Sequence, residues 1–324
     1  MPRPGCRCRV CVEARVRGVP YARTGPSVFV HGPDVLIDTP EESKQQLNRS
    51  QVGRIAAGFY SHWHPDHTAG RRVWEARNFD FRSFPPRAET TPVYVPVRVW
   101  ADFEEHHGLA EQFRFLERQG TIAVRLVAEQ EPFDLGDVRV TPIPLDAENA
   151  HAFLFEGDGK RLLIAMDETH GWMPPDLGPL DLAVLPIGVF EHHPFTGERL
   201  IPEEFCKPPV RKTRYATALE QARRLGARHT VLSHIEEMDR MSHDDLLRLG
   251  AADGWQCGAQ AADGGLVHEF LDEGHGGLLV KVALKIRLPH HLARPVPSNL
   301  GRDLLFKSYQ TLKPPSITKF CPVM

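Results

Sequence analysis

The sequence predicts an α/β fold. Apolar runs of strand length, such as Ser27–His31, Ile55–Tyr60, Val138–Pro144 and Arg161–Met166, alternate with helical patterns through the first 270 residues. Three such runs stop at residues that carry chemistry: one at Ser61-His62-Trp63-His64-Pro65-Asp66-His67, one at Asp167 and one at His234. Thr213–Leu225 is amphipathic, with Ala216, Leu219, Ala222 and Leu225 near one face, and needs an apolar surface to cover. Strand ends open onto loops, so residues gathered there from distant segments describe a site assembled on a folded sandwich.

A chain of 324 residues is long enough to bury a full core. Its 25% of charged residues nearly cancel, leaving a net charge of −3, which gives neither a nucleic-acid footprint nor a polybasic membrane patch. No apolar run is long enough to span a bilayer, and Met1–Cys6 has no apolar signal region, so a cytoplasmic protein is expected. Six cysteines over this length do not make a disulfide scaffold, and close cysteines in a reducing compartment more often hold metal.

Cys6, Cys8 and Cys11 form such a knuckle. Thiolate is the ligand form, and Arg7 and Arg9 favour deprotonation, so three sulfurs are available to one Zn²⁺, with a fourth ligand from elsewhere. A short helix follows, Val12–Val16. Ser27–His31 and Asp34–Thr39 read as a hairpin turning at Gly32-Pro33. Pro40–Leu47 is helical, with Asp38 as one candidate for its N-cap.

The strand Ile55–Tyr60 then delivers the histidine motif. Residues i and i+2 of an extended segment share a face, so His62 and His64 can serve one metal, while Asp66 and His67, just past the turn, reach a second. A helix is expected over Ala69–Arg77. The aromatic, basic loop Asn78–Glu89 could line a substrate entrance, with Arg82 or Arg87 meeting an anion. Pro92–Pro96 is a strand, and Val97–Glu117 is helical with a break at Gly108, His106 and His107 lying on its surface. Thr121–Val127 and Val138–Pro144 are strands, with a turn at 134–137 between them.

The unsubstituted His-x-His-x-Asp-His resembles the signature of the metallo-β-lactamase superfamily. The Gly-Cys-x-Cys-x-x-Cys of residues 5–11 narrows the resemblance to the PhnP-type branch, the phosphoribosyl cyclic phosphodiesterases. This resemblance implies an αββα four-layer sandwich over 1–270, with 271–324 an unassigned tail, and a site for two divalent ions, Zn²⁺ or Mn²⁺. The branch begins with a strand and a Gly-rich turn before its cysteines, and Met1 falls where that turn would end. Either the start lies upstream, or the first strand is missing and leaves a sheet edge to be covered.

By the same resemblance His62, His64, Asp66, His67, Asp167 and His234 are metal ligands, with Asp66 and Asp167 catalytic and Asp167 the bridge. Asp38 takes a supporting role beneath the metal loop. The third motif is altered: its histidine would fall near Ala147, leaving Asp146, Glu148 and His151 as alternatives, or no ligand at all. The structural zinc's histidine would fall at Glu237, so Glu237, His243 and Cys257 compete for that role. Glu191, His192 and His193 are candidates for touching metal or substrate, or for proton delivery. Gly264–Phe270 resembles the closing strand, and beyond it Leu278–Ile286 is a short apolar run.

The chemistry implied is hydrolysis of a phosphodiester in a small phosphorylated substrate, a cyclic phosphate or nucleotide-like ester, by a hydroxide bridging the metals. The alternatives are another ester, thioester or lactam hydrolase and, from a different class, a non-catalytic metal-binding protein with a degenerate pair. A homodimer is a further expectation.

Overall fold

In a computed structural model of the chain, residues 2–146, 149–206, 212–235, 237–257 and 279–283 are described, with backbone alone at 205–206, 237, 256–257 and 279–283. The strands in chain order are β1 (Ser27–His31), β2 (Val35–Ile37), β3 (Ala57–Phe59), β4 (Phe79–Asp80), β5 (Arg87–Ala88), β6 (Thr91–Pro96) and β7 (Ile122–Val127). They continue as β8 (Phe133–Leu135), β9 (Val138–Pro144), β10 (His151–Gly157), β11 (Lys160–Ile164), β12 (Leu182–Pro186), β13 (His229–Ser233), β14 (Gln256–Cys257) and β15 (Leu279–Ala283). The helices are α1 (Arg9–Arg17), α2 (Ser43–Arg49), α3 (Pro65–Thr68), α4 (Val73–Asn78), α5 (Val97–Glu105), α6 (Leu109–Arg118), α7 (Tyr215–Leu225) and α8 (His243–Asp253).

Two large sheets form, in the orders β15-β1-β2-β3-β6-β7 and β14-β13-β12-β11-β10-β9-β8, and β4 and β5 make a small third one. The two-residue period of a strand sorts their side chains into layers. Val28 and Val30 join Ile37, Phe59, Phe153, Phe155, Ile164 and Val184 in the core between the sheets. Phe29, between those valines, faces the other way and packs with Trp74, Val99, Phe103 and Phe113 of the helices outside the first sheet. Leu163, Leu185 and Leu232 do the same on the second sheet, against Leu225 of α7 and Leu246 and Leu249 of α8. The architecture is the αββα four-layer sandwich that the resemblance implied.

Phe59, the last residue of β3, contacts Tyr94 at 5.0 Å and Phe153 at 5.1 Å between ring centroids. Such pairs contribute about 0.5–1.5 kcal/mol each beyond their buried area, so the strand end that carries the histidine motif is held from both sheets.

Several boundaries differ from expectation for local reasons. The helix expected over Ala69–Arg77 is a 3₁₀ turn at Ala69–Arg72 followed by α4, with the short α3 already formed before it. Gly70 lies against the 39–40 loop: its N–H donates to the Thr39 carbonyl at 2.8 Å, and a Cβ there would sit 1.9 Å from the Pro40 oxygen. Helix α2 starts three residues late because the Pro40 carbonyl accepts the Ser43 N–H and hydroxyl at 3.0 and 2.6 Å. The loop 78–89 contains the small hairpin β4–β5, in which Arg82 pairs with Asp80 at 2.8 Å, while Arg87 lies on β5 and is exposed.

No strand precedes β1 among the described residues. The edge beside it is covered instead by β15, from the apolar run Leu278–Ile286, paired in parallel from Ser27↔Leu279 to His31↔Ala283. The closing strand expected at 264–270 lies outside the described residues.

Candidate metal centre

The centre is built on a buried aspartate. Asp38 follows β2 with φ of 58° and no exposed surface. Its Oδ1 accepts the Ser61 N–H at 2.8 Å, and its Oδ2 accepts the Ser61 hydroxyl at 2.6 Å and meets His67 Nδ1 at 2.7 Å. With Nδ1–H donated to this carboxylate, the lone pair of His67 rests on Nε2, an orientation typical of a ligating histidine. That Nε2 is fully buried and has no hydrogen-bond partner, so a coordinating cation would satisfy it. The alternative N-cap role for Asp38 is not seen: Glu42 occupies the N-cap position of α2 and makes no side-chain cap bond.

Two donor groups meet above this support, each with its ligand atoms within 4.8 Å of one another. The first contains His62, His64, Asp167 and Glu168, with His62 Nε2 and His64 Nδ1 3.0 Å apart and Glu168 Oε1 3.5 Å from His64 Nδ1. The second contains Asp66, His67 and His234; Asp66 Oδ2 lies 3.1 Å from His234 Nε2 and 3.5 Å from His67 Nε2. Asp167 Oδ2 is also 3.3 Å from His234 Nε2, so one carboxylate touches both groups.

Protonation suits the same use. Burial pushes His62 well below the ordinary imidazole range, and its neighbours His67 and His64 push it further. Burial likewise lowers His64. Burial alone would raise Asp66, but the hydrogen bond from His234 and the field of His67 outweigh it, and its carboxyl is held below the usual range. At Asp167 burial is again outweighed, by His234, His67 and Lys212, and the shift is downward. Lowered His62 and His64 beside lowered Asp66 and Asp167 form a donor set that fits divalent cations of the Zn²⁺ and Mn²⁺ kind.

The third-motif candidates are placed elsewhere. His151 donates its backbone N–H to Ser61 at 2.9 Å, but its ring is turned away, with Nδ1 2.8 Å from the Asn149 carbonyl and Nε2 3.5 Å from Glu129. Asp146 is exposed and faces Gly171, and neither it nor His151 joins a donor group. Glu148 lies outside the described residues. Glu168 was not singled out by sequence reasoning, because a glutamate after a strand-end aspartate reads as a turn. The clue was the absence of a histidine near 147, which left a place for another donor.

Glu191, His192 and His193 are not brought to the centre. Glu191 pairs with Arg214 at 2.9 Å, His192 bridges to Arg199, and His193 Nδ1 accepts the Phe195 N–H at 3.3 Å within the same loop. His106, expected on the surface, is half-buried and stacks on Trp63 at 3.9 Å, beside His64.

The three sulfurs of Cys6, Cys8 and Cys11 also gather within 4.8 Å. Cys8 caps α1, its Sγ accepting the Cys11 N–H at 3.5 Å. Hydrogen bonds from Cys8 and Cys11 lower the Cys6 thiol to about 7, which favours the thiolate. His243 is not with them: its ring packs edge-on against Tyr21 at 5.4 Å, and Ser242 caps α8. The side chains of Glu237 and Cys257 lie outside the described residues, and among the described residues no fourth ligand joins the cysteines.

Comparison with known proteins agrees with the fold. A diphosphatase from the PhnP family superimposes with a TM-score of 0.53 at 20% identity, covering 89% of this chain and 93% of its own. Zn²⁺-bound PqqB from Methylobacterium extorquens gives 0.55 at 17% identity, covering 81% and 94%. A sequence search of curated proteins gives no match. The family model for the β-lactamase superfamily domain matches residues 32–235, more than half of the chain and every residue of the two donor groups. The chain therefore belongs to the metallo-β-lactamase superfamily.

Proposed function

We propose that the chain is a metal-dependent hydrolase whose substrate is a small phosphodiester, a cyclic phosphate or nucleotide-like ester. The observation that carries this reading is the meeting of two donor groups at Asp167, 3.3 Å from His234 in one group and beside His62, His64 and Glu168 in the other. A pair of divalent ions, Zn²⁺ or Mn²⁺, supplies when bound an activated water and a clamp for phosphate oxygens. The protein's own residues do the rest. His62 and His64 stay neutral through burial, Asp38 fixes the ring of His67, and the ionised Asp66 and Asp167 hold negative charge where cations must sit. Lys212, 3.6 Å from Glu168, presents an ammonium at the exposed side of the first group, where it can meet a phosphate oxygen. The cysteine cluster fits a separate structural Zn²⁺.

A second reading, cleavage of a diphosphate link, is favoured by the fold shared with the PhnP-family diphosphatase. The same ammonium and shared carboxylate suit either phosphate. The test is a substrate panel with metal-loaded protein: bis(p-nitrophenyl) phosphate, a ribose cyclic phosphate, a nucleoside diphosphate, a thioester and a β-lactam. Turnover of a diester, abolished by chelator, is the expected result. Turnover confined to the diphosphate selects the second reading, and preference for the thioester or lactam overturns both.

A further inference from the structure

The first donor group has an unusual composition for this sequence's own pattern. The position where a third imidazole was expected, near 147, carries alanine, and the ring of His151 faces Glu129 rather than His62 and His64. Glu168 takes up that side of the centre. It is 6% exposed, and its Oε1 lies 3.5 Å from His64 Nδ1 and 3.6 Å from Lys212 Nζ. Its backbone is held at φ 54°, a left-handed conformation that is strained for a residue with a side chain. The turn therefore holds two adjacent carboxylates against the same pair of imidazoles, at a cost in backbone strain.

Charge makes the same point. Asp167 and Glu168 bring two carboxylates to the same pair of imidazoles, Glu168 being buried, with Lys212 3.6 Å from Glu168 at the exposed side. Burying carboxylates is expensive unless they are paired or coordinate a cation. A divalent ion among His62, His64, Asp167 and Glu168 balances them.

Resting on the metal-dependent reading above, we propose that Glu168 is a ligand of the first ion, in place of the missing third histidine. That gives each half-site two imidazoles and two carboxylates: His62, His64, Asp167 and Glu168 on one side, and Asp66, His67, His234 and the shared Asp167 on the other. Replacing a nitrogen donor by a carboxylate oxygen shifts a site towards harder ions, so the first half-site selects Mn²⁺ more strongly than a three-histidine site does.

The test is calorimetric titration with Mn²⁺ and with Zn²⁺ of the metal-depleted full chain and of Glu168→Ala, Glu168→Gln and Glu168→His, with elemental analysis after desalting. Manganese is poorly suited to thiolates, so the cysteine cluster does not enter the Mn²⁺ count. Wild type is expected to hold two Mn²⁺. Glu168→Ala and Glu168→Gln should hold one, the other weakened by more than the ~10–100-fold typical of losing a supporting partner. Glu168→His should regain the second ion with its preference moved towards Zn²⁺. Two Mn²⁺ held by Glu168→Ala at wild-type affinity would overturn the assignment while leaving the paired centre intact. No Mn²⁺ pair in wild type would overturn the centre itself, and the assignment with it. Because Glu168→Gln keeps the side chain's size, loss of an ion there with an unchanged thermal unfolding profile separates ligation from folding.

Discussion

The histidine-carboxylate centre and the cysteine cluster are two ways of gathering ligands. The cysteines come from six consecutive residues around the first turn of α1, and two of the three thiols are not buried. The centre draws on residues 38, 61–67, 167–168 and 234, from loops following four different strands, and its supporting atoms have no solvent exposure. The first needs a helix N-terminus. The second exists only when both sheets are packed, so its geometry reports the whole fold, and the two regions should respond to different perturbations.

The largest expected effect tests whether the pair is joined through one carboxylate. Asp167→Ala should weaken both ions of the proposed pair by at least ~100-fold and reduce the proposed diester turnover to background, while zinc loaded onto the cysteine cluster is unaffected. Elemental analysis against wild type reads this directly; loss of one ion alone would show that Asp167 is not shared.

Next is the dependence of the centre on distant packing. Gly70→Ala places a Cβ 1.9 Å from the Pro40 oxygen, backbone against backbone, where no side chain can swing aside. Urea unfolding should show a loss of roughly 1–3 kcal/mol or more. Stability equal to wild type would mean that the 39–40 loop moves freely under the motif.

A smaller, graded effect comes from pH in the metal-free protein. His62 and His64 have folded-state pKa values below their unfolded value, near 6.5. The unfolded chain therefore takes up protons first as pH falls. Their contribution is complete above about pH 6.5 and declines below it, and the lowered Asp66 and Asp167 extend the decline below about pH 4. Melting temperatures between pH 8 and 5 should fall with acidification, and a flat profile would contradict neutral, buried imidazoles. The smallest effect belongs to the other region. Arg9→Ala removes the Arg9–Asp245 pair at 2.6 Å between α1 and α8, an exposed contact worth at most about 1 kcal/mol, and should leave Mn²⁺ binding unchanged.

The same contrast governs what could be read from the sequence. The His-x-His-x-Asp-His motif, Asp167 and His234 were legible because each ends an apolar run, and Val138–Pro144 matches its strand from end to end. Gly108 broke the long helix as expected, adopting φ 61°. What was not legible depends on contacts between distant segments. The run Leu278–Ile286 was visible, but nothing local says that its strand pairs with β1. His151 was visible too, and only the fold turns its ring towards Glu129. Glu168 depends on a left-handed backbone that a glutamate does not advertise.

The central claim is a pair of adjacent cation sites joined by Asp167. Electron paramagnetic resonance of the Mn²⁺-loaded full chain tests it most directly. Two ions sharing a carboxylate should give an exchange-coupled signal that collapses in Asp167→Ala. The hyperfine pattern of isolated Mn²⁺ in wild type that holds two Mn²⁺ per chain would contradict the account.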